Sequence, residues 1–355
     1  MPDASLPSRV ATLNPSWGAA LMSLSGAAFA SLRDPLPGLT ADTVVGLVLL
    51  ASAALVALAL TVANVMRLVR HTDAFLADLG NPAVGGMVAS WPAGLQILAL
   101  AILQAGSVGA LPAEAALLTG MVVFVPGVIG VLITGFAFYT RVIGIENVPH
   151  AAVSGTWFVP VVPVVLVPSI LNRAVALGLG GDPVVWAFLA VVGWGVGFTL
   201  FLLLASIIGS RLLVAPPPAP QQAPGWWGWL APVGAGGLGL LAAVDLATDA
   251  GVLGDLRSAV TIVLTVLWGF AVWWALLAVR VIARELTRLR FHVGWWAFGF
   301  PTAAFASLTA EVARLWRLDG LVAAGPVLWG ALVVLVIALG ALTARGIRTG
   351  GVWAR

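Results

Sequence analysis

Few of the residues able to move protons or hold a metal lie where they would act together. Asp245 and Asp249 are four apart and share a face of a helix. Two carboxylates so placed would hold a cation or, more simply, sit in water at a helix end. His71, His150 and His292 are scattered without metal-ligand spacing, and the chain has no cysteine. Disulfides, iron–sulfur clusters and zinc–thiolate sites are therefore excluded. No nucleophile stands beside a base. Gln96 and Gln104 are neutral, while Glu114, Asp245, Glu311 and Arg314 fall at the ends of apolar stretches. No relay of Asp, Glu and His crosses those stretches, as a proton pump would usually require. What remains is non-covalent chemistry: backbone dipoles, hydroxyls and arginine charges acting on something that passes. No cofactor and no metal is expected.

A second group of residues acts by shape. Phe298 and Phe300 precede Pro301 in a stretch of otherwise small residues. An aromatic ring in a narrow lumen would block ions sterically and by dewetting. A phenylalanine packed between helices is the other reading, and both stay open at this point. Pro92, Pro163, Pro232 and Pro301 lie inside apolar stretches. There each removes one backbone donor, frees a carbonyl and kinks the helix.

These prolines belong to an internal repeat. Gly85, Gly225 and Gly294 are each followed by proline seven positions later, at Pro92, Pro232 and Pro301. Thr156 to Pro163 keeps the spacing without the glycine, and Asn14-Pro15-Ser16-Trp17-Gly18 stands one step earlier. The period is about 70 residues. Gly18, Gly85, Gly225 and Gly294 are candidates for close approach between helices.

The elements that must carry these residues are transmembrane helices. The chain has 355 residues, 61% hydrophobic and only 9% charged. A soluble domain carries roughly 25% charged residues, and a bilayer core needs about 20 apolar residues per helix. Ten spans are expected: 16–32, 43–67, 84–106, 114–138, 151–171, 184–209, 226–246, 258–283, 293–310 and 321–344. They make one transmembrane domain over 1–355. Its five tandem hairpins cover about 14–80, 81–150, 151–220, 221–290 and 291–345. The Pro-rich stretch 215–224 reads as a loop, and the first hydrophobic segment reads as retained. Odd spans are rich in Gly, Ser, Thr and Pro, which suits close packing or the lining of a cavity. Even spans are aliphatic, which suits lipid. The expected fold is all-α: an inner ring of five odd helices around a central pore, with the even helices outside.

Charge gives orientation. All 17 basic residues are arginines. Arg33, Arg173, Arg257, Arg314 and Arg317 fall on one side of the spans and the other twelve on the side of both termini. The positive-inside rule then places both termini in the cytoplasm. The loops are net positive on that side and net negative on the other, a field that favours anions leaving over anions entering. No basic stripe suits nucleic acid, despite a pI of about 10.8. The sixteen tryptophans gather near span ends, where interfacial anchoring accounts for most of them.

Four stretches, in order, resemble the tellurite-resistance/dicarboxylate transporter family. That family includes slow-type guard-cell anion channels, fungal malate and sulfite transporters, and bacterial tellurite-resistance proteins. The stretches are Asn14-Pro15-Ser16-Trp17, Asp78-Leu79-Gly80-Asn81-Pro82, Trp157-Phe158-Val159-Pro160-Val161-Val162 and Trp295-Trp296-Ala297-Phe298-Gly299-Phe300-Pro301. The resemblance implies an anion pore along the inner-helix axis, occluded by a phenylalanine of span nine, and a homotrimer in the cell membrane. The motif puts that phenylalanine at Phe300, with Phe298 as the fallback. The expected function is passage of small anions: a C4-dicarboxylate such as malate, sulfite, or inorganic anions. A proton-coupled dicarboxylate carrier is the alternative within transport. A membrane-embedded enzyme or structural subunit is the alternative outside it.

Overall fold

The computed structural model describes residues 10–215, 222, 224–285 and 288–350. Most of the Pro-rich stretch, Arg9 and Arg355 lie outside them. Helices of two kinds alternate along the chain. α1 (Gly18–Ser31) has 14 residues, every one buried. α2 (Ala41–Arg70) is long and aliphatic, with Val44, Leu55 and Val69 exposed. α3 (Ser90–Ser107) is buried almost throughout. α4 (Ala113–Ile143) carries Pro126 within it and exposes Leu118, Ile133 and Phe136. α5 (Val167–Ala176) is short, and α6 (Pro183–Val214) spans 32 residues. α7 (Leu230–Asp249) is buried on most of its surface, and α8 (Arg257–Glu285) is largely exposed. α9 (Gly299–Trp316) is buried along most of its length, and α10 (Ala324–Thr349) exposes Val327, Val334 and Ile337. No strand occurs among the described residues.

Among the described residues seven helical stretches are long and apolar enough to cross a bilayer: 41–70, 85–107, 113–143, 183–214, 224–249, 257–285 and 319–349. The first, third, fourth, sixth and seventh of these are only 22–28% buried, so their apolar faces are turned outward as lipid demands. This is an integral membrane protein of helical type. The stretches expected as spans one, five and nine take a different form. At about 1.5 Å per residue, α1 is only about 21 Å long. Span five breaks into tight turns at Gly155–Phe158 and Val162–Leu166 before α5. Span nine opens as a 3-10 turn, Val293–Phe298, ahead of α9. Proline and glycine explain the breaks, because Pro160, Pro163 and Pro168 each remove a donor that a continuous helix would use.

The buried segments meet through small residues. An ideal Cβ on Gly18 would stand 2.1 Å from Ser90 Oγ, one on Gly299 2.5 Å from Ser23 Oγ, and one on Gly234 2.6 Å from the Ala304 backbone. α1 thus packs on both α3 and α9, α3 also on α5, α5 on α7, and α7 on α9. Each long helix lies against the buried segment before it in the chain: α2 on α1, α4 on α3, α6 on α5, α8 on α7 and α10 on α9. Tryptophans tie the two sets together, each indole N–H below donating to a hydroxyl on the other set. Trp91 donates to Thr61 Oγ1 at 3.1 Å, Trp268 to Thr309 Oγ1 at 3.1 Å, Trp296 to Thr343 Oγ1 at 2.9 Å and Trp329 to Ser31 Oγ at 2.9 Å. An ion pair of 2.6 Å between Arg67 and Asp78 docks the short helix Thr72–Leu79 against the end of α2.

Candidate functional site

At one end of the bundle every buried segment begins with a tight turn before its α-helix. Four are 3-10 turns, Pro15–Trp17, Gly85–Ala89, Gly155–Phe158 and Val293–Phe298, and the fifth, Pro224–Trp227, is a single α-helical turn. Side chains cap three of them: Asn14 Oδ1 accepts from Ser16 N, Ser154 Oγ from Thr156 N and His292 Nδ1 from Gly294 N. Three of the four prolines singled out by the repeat mark where a turn becomes α-helix. Pro92, Pro232 and Pro301 are each the third residue of their α-helix, in Ser90-Trp91-Pro92, Leu230-Ala231-Pro232 and Gly299-Phe300-Pro301. Pro163 is the second residue of its tight turn. In a first helical turn the missing N–H leaves no bond unmade.

A cavity of about 200 Å³ lies among these turns. All five buried segments line it, through Ser16, Ala19 and Met22; Ala83, Val84 and Met87; Ser154, Thr156 and Phe158; Gly225, Gly228 and Ala231; and His292, Trp296 and Phe300. Its polar side chains are neutral hydroxyls and an amide, with His292 beside them. A smaller cavity of about 20 Å³, room for one or two waters, continues beyond it. The same five segments line this one, through Gly26 and Phe29, Ile97 and Leu100, Leu166 and Ser169, Ala235 and Leu238, and Phe300, Ala303, Ala304 and Ser307.

Phe300 borders both cavities. Its side chain is buried, with a bare stretch of α1 at Gly26 opposite the ring. Phe298 borders neither cavity and packs edge-on against Trp295, ring centroids 6.2 Å apart. Of the glycines in the repeat, Gly225 and Gly294 line the large cavity. Gly18 and Gly85 sit where a Cβ would collide, Gly85 with Leu79 O at 2.6 Å. At Gly225 the crowding belongs to its neighbour: a Cβ on Gly155 would stand 2.3 Å from Gly225 O. Gly294 faces the ring of His292.

Next to the residues that line the small cavity lies a polar and charged layer. Counting four residues on from Phe29, Leu100, Ser169 and Ser307 gives Arg33, Gln104, Arg173 and Glu311. On a helix that step keeps the same face one turn further along. The guanidiniums of Arg173 and Arg33 lie 5.0 and 5.6 Å from the centroid of the Phe29 ring. Glu311 binds Arg33 at 2.8 Å and also Arg314. The sequence reading missed Phe29, Ser307 and this layer. The four-residue step was visible, but only after the lining positions were known. Asp245, one of the two carboxylates sharing a face, pairs with Arg257 at 3.3 Å. Among the described residues no cluster of His, Asp or Glu could hold a metal.

Comparison with known proteins gives the setting. The description of the SLAC1 family, voltage-dependent anion channels, matches residues 12–344. An uncharacterized transporter of Methanocaldococcus jannaschii is 25% identical over 71% of this chain and 70% of its own length. The malic acid transport protein of Schizosaccharomyces pombe is 25% identical over 46% of this chain and 40% of its own. A sulfite efflux pump of Arthroderma benhamiae is 27% identical over 45% of each.

Proposed function

The chain belongs to the SLAC1 voltage-dependent anion channel family, and from that membership we propose that it conducts small anions through the two cavities described above, with the Phe300 ring as the gate between them. Its coarse function is that of a membrane anion channel or transporter. One observation carries the finer reading. Phe300 is shared by two cavities, each lined by all five buried segments, so moving one ring would join them. In this reading α1, α3, α5, α7 and α9 with their leading turns form the inner ring of a ten-span pore, and the long helices face lipid.

The lining supports passive flux over coupled carriage. Apart from His292, no ionisable side chain among the described residues lines either cavity. A proton-coupled carrier needs a buried titrating group on the path. A neutral path selects by size and by the ease of dehydration, which suits malate, sulfite and monovalent inorganic anions alike. We further propose a homotrimer in the cell membrane with both termini in the cytoplasm.

The test is anion flux in liposomes, comparing the natural chain with Phe300→Ala over chloride, nitrate, sulfite and malate. The reading requires a large rise in the variant, graded by anion. A folded Phe300→Ala protein with unchanged flux for all four would mean that the ring is packing and not a gate.

A further inference from the structure

We propose that Arg173, at the mouth beyond the small cavity, is an anion-binding residue, taking carboxylates or small oxyanions in the guanidinium fork. The inference rests on the five-segment conduit and adds to it a charged station that the gate does not need. Arg173 follows Ser169, a lining residue, by one helical turn on α5. It is held in place from two sides. Gln104 donates through Nε2 to Leu32 O at 2.9 Å, which turns Oε1 toward Arg173 Nε at 2.6 Å. Arg173 Nη1 donates to Ser169 O at 3.2 Å. The plane of the Phe29 ring supports the charge from a third side.

Its neighbours differ in one respect. Arg33 and Arg314 share the carboxylate of Glu311, and Arg257 has Asp245. Arg173 is in no ion pair among the described residues. A guanidinium carries five N–H donors, and the bonds above use two of them. An oriented, half-buried arginine outside any ion pair is the arrangement that a passing carboxylate or oxyanion completes, with two parallel hydrogen bonds. Ser307 adds a second open group. Its hydroxyl lies in the wall of the small cavity, buried and without a hydrogen-bond partner. It stands one turn before Glu311, so an anion moving between Phe300 and Arg173 would meet a donor on the way.

The test measures binding and not flux, so it stands apart from the Phe300 experiment. The full chain in uncharged maltoside detergent, without added lipid, is titrated with sodium malate and separately with sodium sulfite. Ionic strength is held with a bulky buffer anion, and thermal unfolding is followed. The natural protein should be stabilised saturably by both probes. Arg173→Gln should raise the half-saturating concentration roughly tenfold, the loss of one charge-assisted pair. Arg173→Lys keeps the charge without the fork and should fall between the two; it also stands in if the Gln variant does not fold. Arg257→Gln, on the same side but already paired, should titrate like the natural chain. The proposal is overturned if Arg173→Gln and Arg173→Lys both titrate as the natural chain does, or if neither anion stabilises it saturably. Should Phe300→Ala fail to raise flux while Arg173→Gln still weakens binding, the gate is wrong and the station stands.

Discussion

A Cβ on Gly26 would stand 3.0 Å from Cδ2 of Phe300, closer than side chains normally allow. The ring is therefore seated against backbone, and one methyl group on α1 would press on it. Gly26→Ala should destabilise the protein by about 1–2 kcal/mol through overpacking. In a Phe300→Ala background the same change should cost much less, because the ring it meets has gone. A double-mutant cycle on thermal unfolding in detergent reads that coupling, expected at about 0.5–2 kcal/mol. Additive effects would mean that Ala303, at 3.3 Å from the same point, bears the contact instead.

Glycine tolerance should separate the two kinds of helix. A Cβ on Gly239 of α7 would lie 2.2 Å from the carbonyl oxygen of Val165, and backbone cannot swing aside. On Gly269 of α8 it would meet nothing within 4 Å. Gly239→Ala should abolish recovery of folded protein. Gly269→Ala should be neutral, or stabilising by up to about 1 kcal/mol, since alanine favours helix over glycine. Monodispersity on size exclusion and melting temperature measure both.

Much of this contrast could be read in the sequence. The Gly-, Ser- and Pro-rich segments are the buried ones and the aliphatic segments the exposed ones, because small residues admit neighbouring backbone and bare leucines need lipid. The prolines were legible as a repeat but not as joints. Whether Pro301 kinks a helix or begins one depends on the turn before it, and Gly294 to Phe298 give no local sign of a 3-10 conformation. The mouth was less legible still. Arg33, Gln104, Arg173 and Glu311 sit on four segments and come together only when those segments are aligned on one axis. As sequence they looked like unrelated residues at span ends.

The Arg67–Asp78 pair should matter for folding more than for passage. Arg67 is only 1% exposed and bonds Asp78 Oδ2 at 2.6 Å and Ala74 O at 3.3 Å. Asp78→Asn would leave a buried guanidinium without its counter-charge, a loss of about 3–5 kcal/mol for a well-buried pair. The double change Arg67→Met with Asp78→Asn should recover much of that, since no unpaired charge remains. Expression level and melting temperature of the three variants give the comparison. A single variant as stable as the natural chain would mean that water reaches the pair.

Glu311 holds two arginines at the mouth, so removing its charge should act on both stability and passage. Glu311→Gln keeps the shape but gives up two ion pairs, a loss of about 1–3 kcal/mol. It also frees the guanidiniums of Arg33 and Arg314 from their carboxylate, close to the unpaired Arg173. At low ionic strength the variant should gather anions at that mouth more strongly than the natural chain, with the difference shrinking as salt is raised toward a Debye length of about 8 Å. Flux measured in the Phe300→Ala background at two ionic strengths checks this. A difference that does not depend on salt would point to altered packing instead.

Opening at Phe300 should expose a second restriction at Phe29. Phe29 lines the small cavity, three residues along α1 from the Gly26 that meets Phe300, and two guanidiniums lie against its ring, so it is the aromatic ring next on a path from Phe300 through that 20 Å³ space toward Arg33 and Arg173. An anion with even part of its water shell does not fit in so little room, so removing Phe300 alone joins the cavities without clearing the exit. Flux should therefore rise in the order natural chain, Phe300→Ala, Phe300→Ala with Phe29→Ala. The second step should be larger for malate than for chloride, because the larger anion is held back more by the remaining ring. Phe29→Ala alone should do little while Phe300 still seals the path. The change also removes the ring that supports Arg173, so the double variant should gain speed while binding malate more weakly in the thermal titration. Equal flux in the single Phe300→Ala and the double variant would place the whole barrier at one ring.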